Sequence, residues 1–369
     1  MSDNFKRYNC IKLGLRQLLP KGLSAHQLRL LDNLARLING IIGSGHTQLP
    51  KVAAKDPRAI KTESKVASLK RLIDHEKFSQ ELFWLPFVRQ FLARLVNSRQ
   101  DHQITLVIDG SQVGRGCMAL VISLVYAGRA LPVGWLVVIG KKGHLSQDLH
   151  LQLVEQVQAL LPQSAKVTLL GDGEFDGTWL QQTLREFGWQ WVVRTAKNSQ
   201  YLSPVSKKWH SFGEWRLQPG QMVVRHRIGF TGCGWGPVTG IGVWDHGYKE
   251  PIYLITSLSN AQAATDLYKR RFRIETFFSD QKSRGFRLEQ SHLDNPERLN
   301  RLLIGCVYAY WWLTYLGTYA RENDWDKVVH RTERCDLSFF QLGWRLLEHW
   351  QNIAYPFRFE LQLSSRFLF

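Results

Sequence analysis

Three acidic residues in this chain stand where carboxylates can act together in chemistry. Asp109 ends the apolar run LVID, and Asp172 ends the apolar run LLGD. Ligands collect at the carboxyl ends of strands in α/β sheets, so each acid is a candidate ligand. The alternative is that each merely opens a turn, since Asp-Gly is a common turn pair. Glu275 lies in a third segment, among basic and aromatic residues.

That third segment, DLYKRRFRIETFFSDQK, carries polar groups at helical spacing. Arg271 follows Tyr268 after three residues, and Glu275 and Lys282 follow the same tyrosine after seven and fourteen. At about 100° per residue, a continuous helix would hold all four side chains within an arc of roughly 60°. The apolar neighbours predict that this helix docks on the core. The alternative is a surface helix with an Arg271–Glu275 ion pair.

Acids and cations in this combination suit phosphodiester chemistry. Two divalent ions about 4 Å apart can activate a hydroxyl and stabilise a leaving oxygen. Mg²⁺ prefers carboxylates and water, which three acids on a rigid frame would supply, and Mn²⁺ is the alternative ion. Arginine and lysine nearby would hold phosphates. Tyr268 would stack on a sugar or base, or hydrogen-bond a phosphate.

The charge balance indicates a polyanionic partner. The 369 residues include 48 Lys and Arg against 31 Asp and Glu, a formal net charge of +17. A surplus of this size favours nucleic acid first and an anionic membrane second. The alternative for a basic helix such as the one with Lys61, Lys65 and Lys70 is a solvated face.

Cysteine usage and hydropathy predict a cytoplasmic protein that does not enter a membrane. The five cysteines are scattered and form no CxxC pair, which argues against disulfides and zinc. The start, MSDNFKRYNC, has no apolar signal-peptide core. The uncharged stretch 302–320 contains tyrosines along its middle, which favours a buried helix over a lipid-facing one. His144 and His150 are interpreted as surface or structural residues rather than zinc ligands.

Periodicity predicts an α/β core between helical regions. Residues 1–100 are predicted to be helical, with Ser24 as an N-cap, a loop at 43–57 and an aromatic-rich helix at 78–95. Three apolar strands from Ile104 precede a helix at 146–161, a strand ending at Asp172, a helix near 178–187 and the strand WQWVVRT. Residues 200–256 are predicted to be a small antiparallel β insertion. Helices resume from Ala261 to about His349.

The spacing Y-x2-R-x3-E-x6-K, matched at every position from Tyr268 to Lys282, resembles the signature of DDE transposases of the insertion-sequence-four family. Members place one Asp after a strand, a second Asp after another, a β-rich insertion, and then Glu on the signature helix. This chain has that order over about residues 100–320. The resemblance implies that Asp109, Asp172 and Glu275 bind two Mg²⁺ ions. It implies that the remaining signature residues, Tyr268, Arg271 and Lys282, contact DNA.

The resemblance also implies a domain organisation. We expect a ribonuclease H-like α/β core with a β-rich insertion and a helical N-terminal region. The expected segments are 1–100 (helical, DNA-binding), 101–199 (first part of the core), 200–256 (insertion), 257–325 (second part of the core, with the signature helix) and 326–369 (C-terminal helical segment).

The implied activity is cut-and-paste movement of an insertion sequence. The protein would cleave DNA at the inverted-repeat ends, working as a homodimer on paired ends, and join the freed 3′ hydroxyl to target DNA. It would be cytoplasmic and associated with the nucleoid when bound to DNA. Two alternatives remain: a ribonuclease H-like nuclease or resolvase that cuts without joining, and a non-enzymatic DNA-binding descendant of a transposase.

Three positions leave the resemblance open in detail. Asp172 sits in GDGEFDG, so Glu174 or Asp176 is an alternative second acid, although the family pattern of Asp, two residues and Phe favours Asp172. The family usually has Thr two residues after the first acid, and here Ser111 stands there. Members that form a DNA hairpin have a Trp in the strand before the signature helix, where this chain has Tyr253, so a hairpin is not assumed.

Overall fold

The computed structural model describes residues 2–126, 128–141, 143, 145–331 and 333–361. Its helices are Asp3–Leu18 (α1), Ala25–Ser44 (α2), Leu49–Ala53 (α3), Thr62–Asp74 (α4), Gln80–Phe83 (α5), Leu85–Ser98 (α6), Gln147–Gln158 (α7), Thr178–Glu186 (α8), Ala261–Lys269 (α9), Arg273–Gln281 (α10), Pro296–Glu322 (α11), Asp326–Val329 (α12) and Phe339–Asn352 (α13). Its strands are Gln103–Gly114 (β1), Cys117–Tyr126 (β2), Arg129–Ile139 (β3), Lys166–Gly171 (β4), Gln190–Thr195 (β5), Gln200–Leu202 (β6), Trp209–Ser211 (β7), Met222–Phe230 (β8), Trp235–Val243 (β9) and Ile252–Thr256 (β10).

The strands form one mixed sheet in the order β3-β2-β1-β4-β5-β10-β9-β8-β6-β7. β3, β2 and β1 are antiparallel, whereas β1, β4 and β5 run parallel to one another. β10 pairs with β5 in the antiparallel sense. The strands of residues 200–256 therefore extend the central sheet through β10, and the expected insertion is continuous with it.

The centre of the sheet is buried on both faces. Leu106, Val107 and Ile108 in β1 are each fully buried, as are Leu169 and Leu170 in β4. Consecutive buried residues are typical of parallel strands covered on both sides, because alternate side chains point to opposite faces. This packing makes β1 and β4 a rigid frame for the polar residues at their ends.

The N-terminal helices share their core with α11. The Tyr308 hydroxyl on α11 donates a hydrogen bond to the Phe83 carbonyl at 2.7 Å. Gly305 on the same helix lies against Leu37 and Ile41 of α2, where a Cβ would approach Leu37 to 2.7 Å. α11 also reaches the sheet, since Trp311 Nε1 donates to the Pro132 carbonyl of β3 at 3.1 Å. One long buried helix thus ties the N-terminal helices to the sheet.

The stretch 302–320 lies within α11, where nearly all of its side chains are buried. Within the described part of the chain, no helix combines the length and the apolar character needed to cross a membrane. Tyr308 and Tyr310 are fully buried, Tyr315 and Tyr319 are partly buried, and the Tyr308 hydroxyl donates to a backbone carbonyl. The prediction that this stretch forms a buried helix is confirmed.

Two helical predictions differ from the structure in their boundaries. The predicted loop at 43–57 contains the short helix α3, which begins with Pro50 in its first turn. The predicted helix at 78–95 is divided at Trp84 into α5 and α6, and Pro86 lies in the first turn of α6. Proline favours the start of a helix because the first-turn N–H groups have no partner within the helix. The last residues, 362–369, lie outside the described residues, as does His144.

The predicted Ser24 N-cap is confirmed, and it forms a capping box. The Ser24 hydroxyl accepts from the Gln27 N–H at 3.2 Å, and the Gln27 side chain accepts from the Ser24 N–H at 2.7 Å. We expect Ser24→Ala to lower the free energy of unfolding by about 1 kcal/mol, measured by urea denaturation. Ser146→Ala is the matched control, because Ser146 caps α7 without a side-chain hydrogen bond. Equal losses in both variants would contradict the capping explanation.

Candidate active site

Asp109 lies inside β1 rather than at its end, because β1 continues to Gly114 and turns into β2 as a hairpin. The prediction that Asp109 ends the strand is therefore wrong. The parallel part of the pairing does stop near this point, since the last β1–β4 pair is Val107 with Leu170. The Asp109 side chain is 2% exposed, and its Oδ1 accepts from the Gly110 N–H at 2.7 Å.

Asp172 comes directly after β4, as predicted. Asp109 and Asp172 each lie two residues beyond the Val107–Leu170 pair, so the parallel register brings them to neighbouring positions. Adjacent strands are separated by about 4.8 Å, which sets the scale of the distance between the two backbones. Asp172 Oδ1 accepts from the Glu174 N–H at 2.9 Å, which begins a short 3₁₀ turn at residues 173–175.

The signature segment is not one continuous helix. α9 ends at Lys269, residues 270–272 form a 3₁₀ turn, and α10 begins at Arg273. Lys282 lies beyond α10 in a non-helical conformation, with φ −98° and ψ −122°. The arc of 60° predicted for a continuous helix therefore does not apply. Tertiary contacts with β1 bring the polar side chains to the same place instead.

Arg271 joins the first acid to the third. Its Nη1 lies 3.5 Å from Asp109 Oδ2, and its Nη2 lies 3.0 Å from Glu275 Oε1. Burial acts to lower the pKa of Arg271, but the nearby Tyr268, Asp109 and Glu275 together raise it above its ordinary value. The predicted Arg271–Glu275 ion pair is present, although Arg271 is buried and the pair is not on a free surface helix.

Lys282 makes a second contact between the signature segment and β1. Its Nζ donates to the Ser111 hydroxyl at 2.7 Å. Ser111 lies two residues after Asp109, so both side chains are on the same face of β1. Arg271 and Lys282 therefore contact the same face of one strand, at two successive positions.

Tyr268 is buried, with 3% of its surface exposed. Its burial raises the pKa of the phenol, and the nearby Arg271 opposes that rise. The Arg271 guanidinium carbon lies 5.8 Å from the centre of the Tyr268 ring. The ring thus presents little surface to solvent and lies beside Arg271.

The two alternative second acids are engaged elsewhere. Glu174 Oε1 accepts a hydrogen bond from the Leu145 N–H at 3.0 Å, which holds the residues before α7 against the turn after β4. Asp176 Oδ2 accepts from the Thr195 hydroxyl at 2.7 Å. Burial raises the pKa of Asp176, and the Thr195 hydrogen bond partly offsets this. Both acids therefore make structural contacts, whereas Asp172 lines an open cleft.

That cleft has a volume of about 730 Å³ and lies between the carboxyl ends of β4 and β5 and the start of β10. Asp172 and Arg271 line it together with Arg194, Lys197 and Tyr253. Arg194 Nη2 lies 3.5 Å from Glu250 Oε1, and both side chains of this ion pair are exposed. Sequence reasoning missed Arg194 and Lys197, although the rule that found Asp172 points to them as well, because they end or follow the parallel strand β5.

Asp109, Asp172 and Glu275 are chemically suited to bind a divalent cation. Carboxylate oxygens are the ligands that Mg²⁺ prefers. Among the described residues, however, no three His, Cys, Asp or Glu side chains are close enough together to hold a metal ion. The Arg271 guanidinium lies between Asp109 and Glu275 and supplies the positive charge there. The carboxylates are therefore of the residue type that binds a metal ion. The Arg271 guanidinium lies between two of them, Asp109 and Glu275.

Asp280, one turn beyond Glu275 on α10, is a buried acid that the sequence did not single out. It is 3% exposed, and its Oδ2 has no hydrogen-bond partner within the described residues. Burial raises the pKa of Asp280 to about 6, and Arg129 and Arg284 partly oppose this rise. Asp280 does not line the open cleft.

A family model described as Transposase DDE domain matches residues 98–312, more than half of the chain. The match begins at the end of α6, ends within α11, and includes all six residues predicted for the site. The chain therefore belongs to the DDE transposase domain family. Proteins of this family generally act on DNA with divalent metal ions.

Other comparisons add little to this. No curated protein matches the chain. Among solved structures, the chain is similar to one titled as a piggyBac transposase synaptic complex with hairpin DNA. The identity is 11%, the TM-score is 0.46, and the match covers 95% of this chain and 78% of that one. A similarity at this level carries no argument about the site.

The pKa of Asp280 predicts a pH dependence of stability. The folded chain keeps this proton up to about pH 6, whereas the ordinary pKa is 3.8. Between these values the folded state binds more protons than the unfolded state, so Asp280 makes stability fall as pH rises. We expect Asp280→Asn to remove up to about 3 kcal/mol of this decline, measured by urea denaturation at pH 4 and pH 7.

The control for this experiment is Asp266→Asn, an exposed acid on α9. It should keep the pH dependence of the wild type. If Asp280→Asn also keeps that dependence, Asp280 is ionised in the folded chain throughout this range and its assignment as a buried neutral acid is wrong.

Proposed function

We propose that this protein is a transposase that cleaves DNA at the ends of an insertion sequence and joins the freed 3′ hydroxyl to target DNA. The family match supports the class of reaction. The observation that carries the proposal is the meeting of Asp109, Arg271 and Glu275 beside Asp172, from three separate segments of the chain.

Asp109, Asp172 and Glu275 are proposed to hold two Mg²⁺ ions, or Mn²⁺ in their place. When bound, the ions would activate the attacking hydroxyl and stabilise the leaving oxygen. Asp172 is favoured over Glu174 and Asp176 because it lines the cleft, while the other two hold backbone and hydroxyl groups. The buried strands β1 and β4 supply rigid placement for Asp109 and Asp172, and Glu275 on α10 is held by its ion pair with Arg271.

The basic residues are proposed to bind the DNA backbone beside the acids. Arg271 and Lys282 are positioned by β1, and both would exchange their protein contacts for phosphate oxygens. Arg194 and Lys197 extend this positive lining along the cleft. Tyr268 would support Arg271 from the core rather than contact DNA itself.

The proposed assignment to the insertion-sequence-four family rests on the spacing of residues from Tyr268 to Lys282. The proposed ribonuclease H-like core rests on the order and direction of the strands in the sheet. The central order β3-β2-β1-β4-β5, with an antiparallel run followed by parallel strands, supports such a core. We propose residues 101–199 and 257–325 as its two parts and 200–256 as an insertion at β5. Residues 1–100 would bind the inverted repeats, and two copies would pair two ends.

The catalytic assignment predicts three inactive variants. We expect Asp109→Asn, Asp172→Asn and Glu275→Gln each to reduce cleavage at least about 1,000-fold, because each removes a charged ligand of the ions. The substrate is DNA carrying the repeats that flank the coding sequence, with Mg²⁺ present, and cleavage is followed on gels. DNA binding in the presence of a chelator should be retained.

Asp176→Asn is the matched control, and it should remain active. An inactive Asp176→Asn beside an active Asp172→Asn would show that the second acid has been assigned wrongly. The same assay separates the alternatives: end-labelled DNA that is cut but never joined to target DNA indicates a nuclease, and binding without cutting indicates a non-enzymatic protein.

The position of Arg271 predicts how the metal affinity responds to its removal. Its buried Nε has no partner within the described residues, so the guanidinium is not fully satisfied where it lies. We expect Arg271→Ala to tighten Mn²⁺ binding in the absence of DNA by about 10-fold, because a competing positive charge is removed from two carboxylates. Mn²⁺ binding is measured by electron paramagnetic resonance.

Lys269→Ala is the control for this measurement, since Lys269 is exposed and pairs with the exposed Asp245 at 3.0 Å rather than with the three acids. Its Mn²⁺ affinity should equal that of the wild type. Thermal melting shows whether Arg271→Ala is folded, and weaker Mn²⁺ binding in the folded variant would mean that Arg271 organises the carboxylates for the ion instead of competing with it.

A further inference from the structure

A second open groove lies at the amino end of β1. It has a volume of about 400 Å³. Three arginines line it, and we call it the arginine groove: Arg99 after α6, Arg270 in the 3₁₀ turn and Arg273 at the start of α10. Its floor is apolar, with Ile104 and Leu124 from the two strands.

The arginine groove is positively charged, and within the described residues one of its three arginines forms an ion pair. None of its lining residues is acidic. Arg99 pairs with Asp101 at 3.0 Å. Arg270 and Arg273 are exposed, and within the described residues neither pairs with a carboxylate. Like charges held close together repel one another, so binding of an anion would stabilise this arrangement.

The signature segment therefore has two differently charged sides. Arg271 is buried and reaches Asp109 and Glu275. Its neighbours Arg270 and Arg273 point into the groove, where the Arg273 guanidinium lies close to the turn at Gly128. Arg270 and Arg271 point to different sides of the segment because successive residues of a 3₁₀ turn project about 120° apart.

The groove lies close to the acids. Thr105 lines the groove and Asp109 lies four residues further along β1, which at about 3.3 Å per residue is roughly 13 Å. Along the signature segment, Arg273 precedes Glu275 by only two residues. Phosphates of one DNA strand repeat about every 3.4 Å along the axis, so roughly four base pairs or fewer separate the two places.

We propose that the arginine groove binds the phosphate backbone of duplex DNA, within a few base pairs of the bond that is cut. This inference rests on the proposed function, since it takes DNA as the substrate of the acids. Arginines over an apolar floor fit phosphates and the sugars between them. Such contacts position a duplex and carry no sequence information. Any duplex is therefore a valid probe.

The test measures the salt dependence of DNA binding. The probe is a mixed-sequence duplex of 30 base pairs, labelled for fluorescence anisotropy, with a chelator present to prevent cleavage. For the double variant Arg270→Ala/Arg273→Ala, we expect the slope of log affinity against log salt to fall by about 1.8, or 0.9 for each lost phosphate contact. Arg270→Lys/Arg273→Lys should keep the wild-type slope, because it keeps both charges.

The matched control is Arg345→Ala/Arg358→Ala, which removes two exposed arginines from the C-terminal segment, outside the groove. Thermal melting of every variant shows whether it is folded. An equal change of slope in the control, or an unchanged slope in the groove variant, overturns the arginine groove while leaving the cleavage proposal intact. A wild type that cuts no DNA with Mg²⁺, yet binds duplex with the expected slopes, overturns the proposed function and not the groove.

Discussion

The contact between Arg271 and the acids is the interaction on which the rest of the site depends. Asp109 is buried in the middle of the sheet, where an ionised carboxylate needs a compensating charge. Arg271 supplies it and also holds Glu275, so one guanidinium relates the central strand to the signature segment. Breaking a buried pair by removing one partner typically costs about 3–5 kcal/mol. The fold therefore has a strong reason to keep this segment on β1.

The sheet gives that contact its fixed geometry. The parallel register of β1 and β4 places Asp109 and Asp172 at neighbouring positions. The hairpin of β1 and β2 extends the strand past Asp109 to Ser111, where Lys282 binds. The same short segment carries the arginine groove on its other side, so the placement of α10 affects both regions.

Much of this arrangement could be predicted from the residues, but not all of it. Acids after apolar runs pointed to Asp109 and Asp172, and the spacing from Tyr268 to Lys282 pointed to the third segment. The prediction of one continuous helix from Tyr268 to Lys282 was wrong. A spacing gives angles only for a continuous helix, and the break at residues 270–272 depends on how the segment packs on β1. The burial of Tyr268 has the same origin, because it depends on what covers the ring.

The structure adds to the sequence in comparing the neighbouring acids. Within GDGEFDG, Glu174 and Asp176 are alternatives to Asp172, which the family pattern of Asp, two residues and Phe favours. Their hydrogen bonds separate them, since Glu174 holds the Leu145 N–H and Asp176 accepts from Thr195. These partners come from distant parts of the chain, beyond the reach of any local pattern.

The most direct test of the central claim is the anomalous scattering of Mn²⁺ in crystals of the protein bound to DNA from the ends of its element. The account predicts ions about 2.1 Å from carboxylate oxygens of Asp109, Asp172 and Glu275, with the Arg271 guanidinium moved from between the acids to a phosphate. Ions held by Glu174 or Asp176, or Arg271 still bridging Asp109 and Glu275 beside an ordered DNA end, would contradict it.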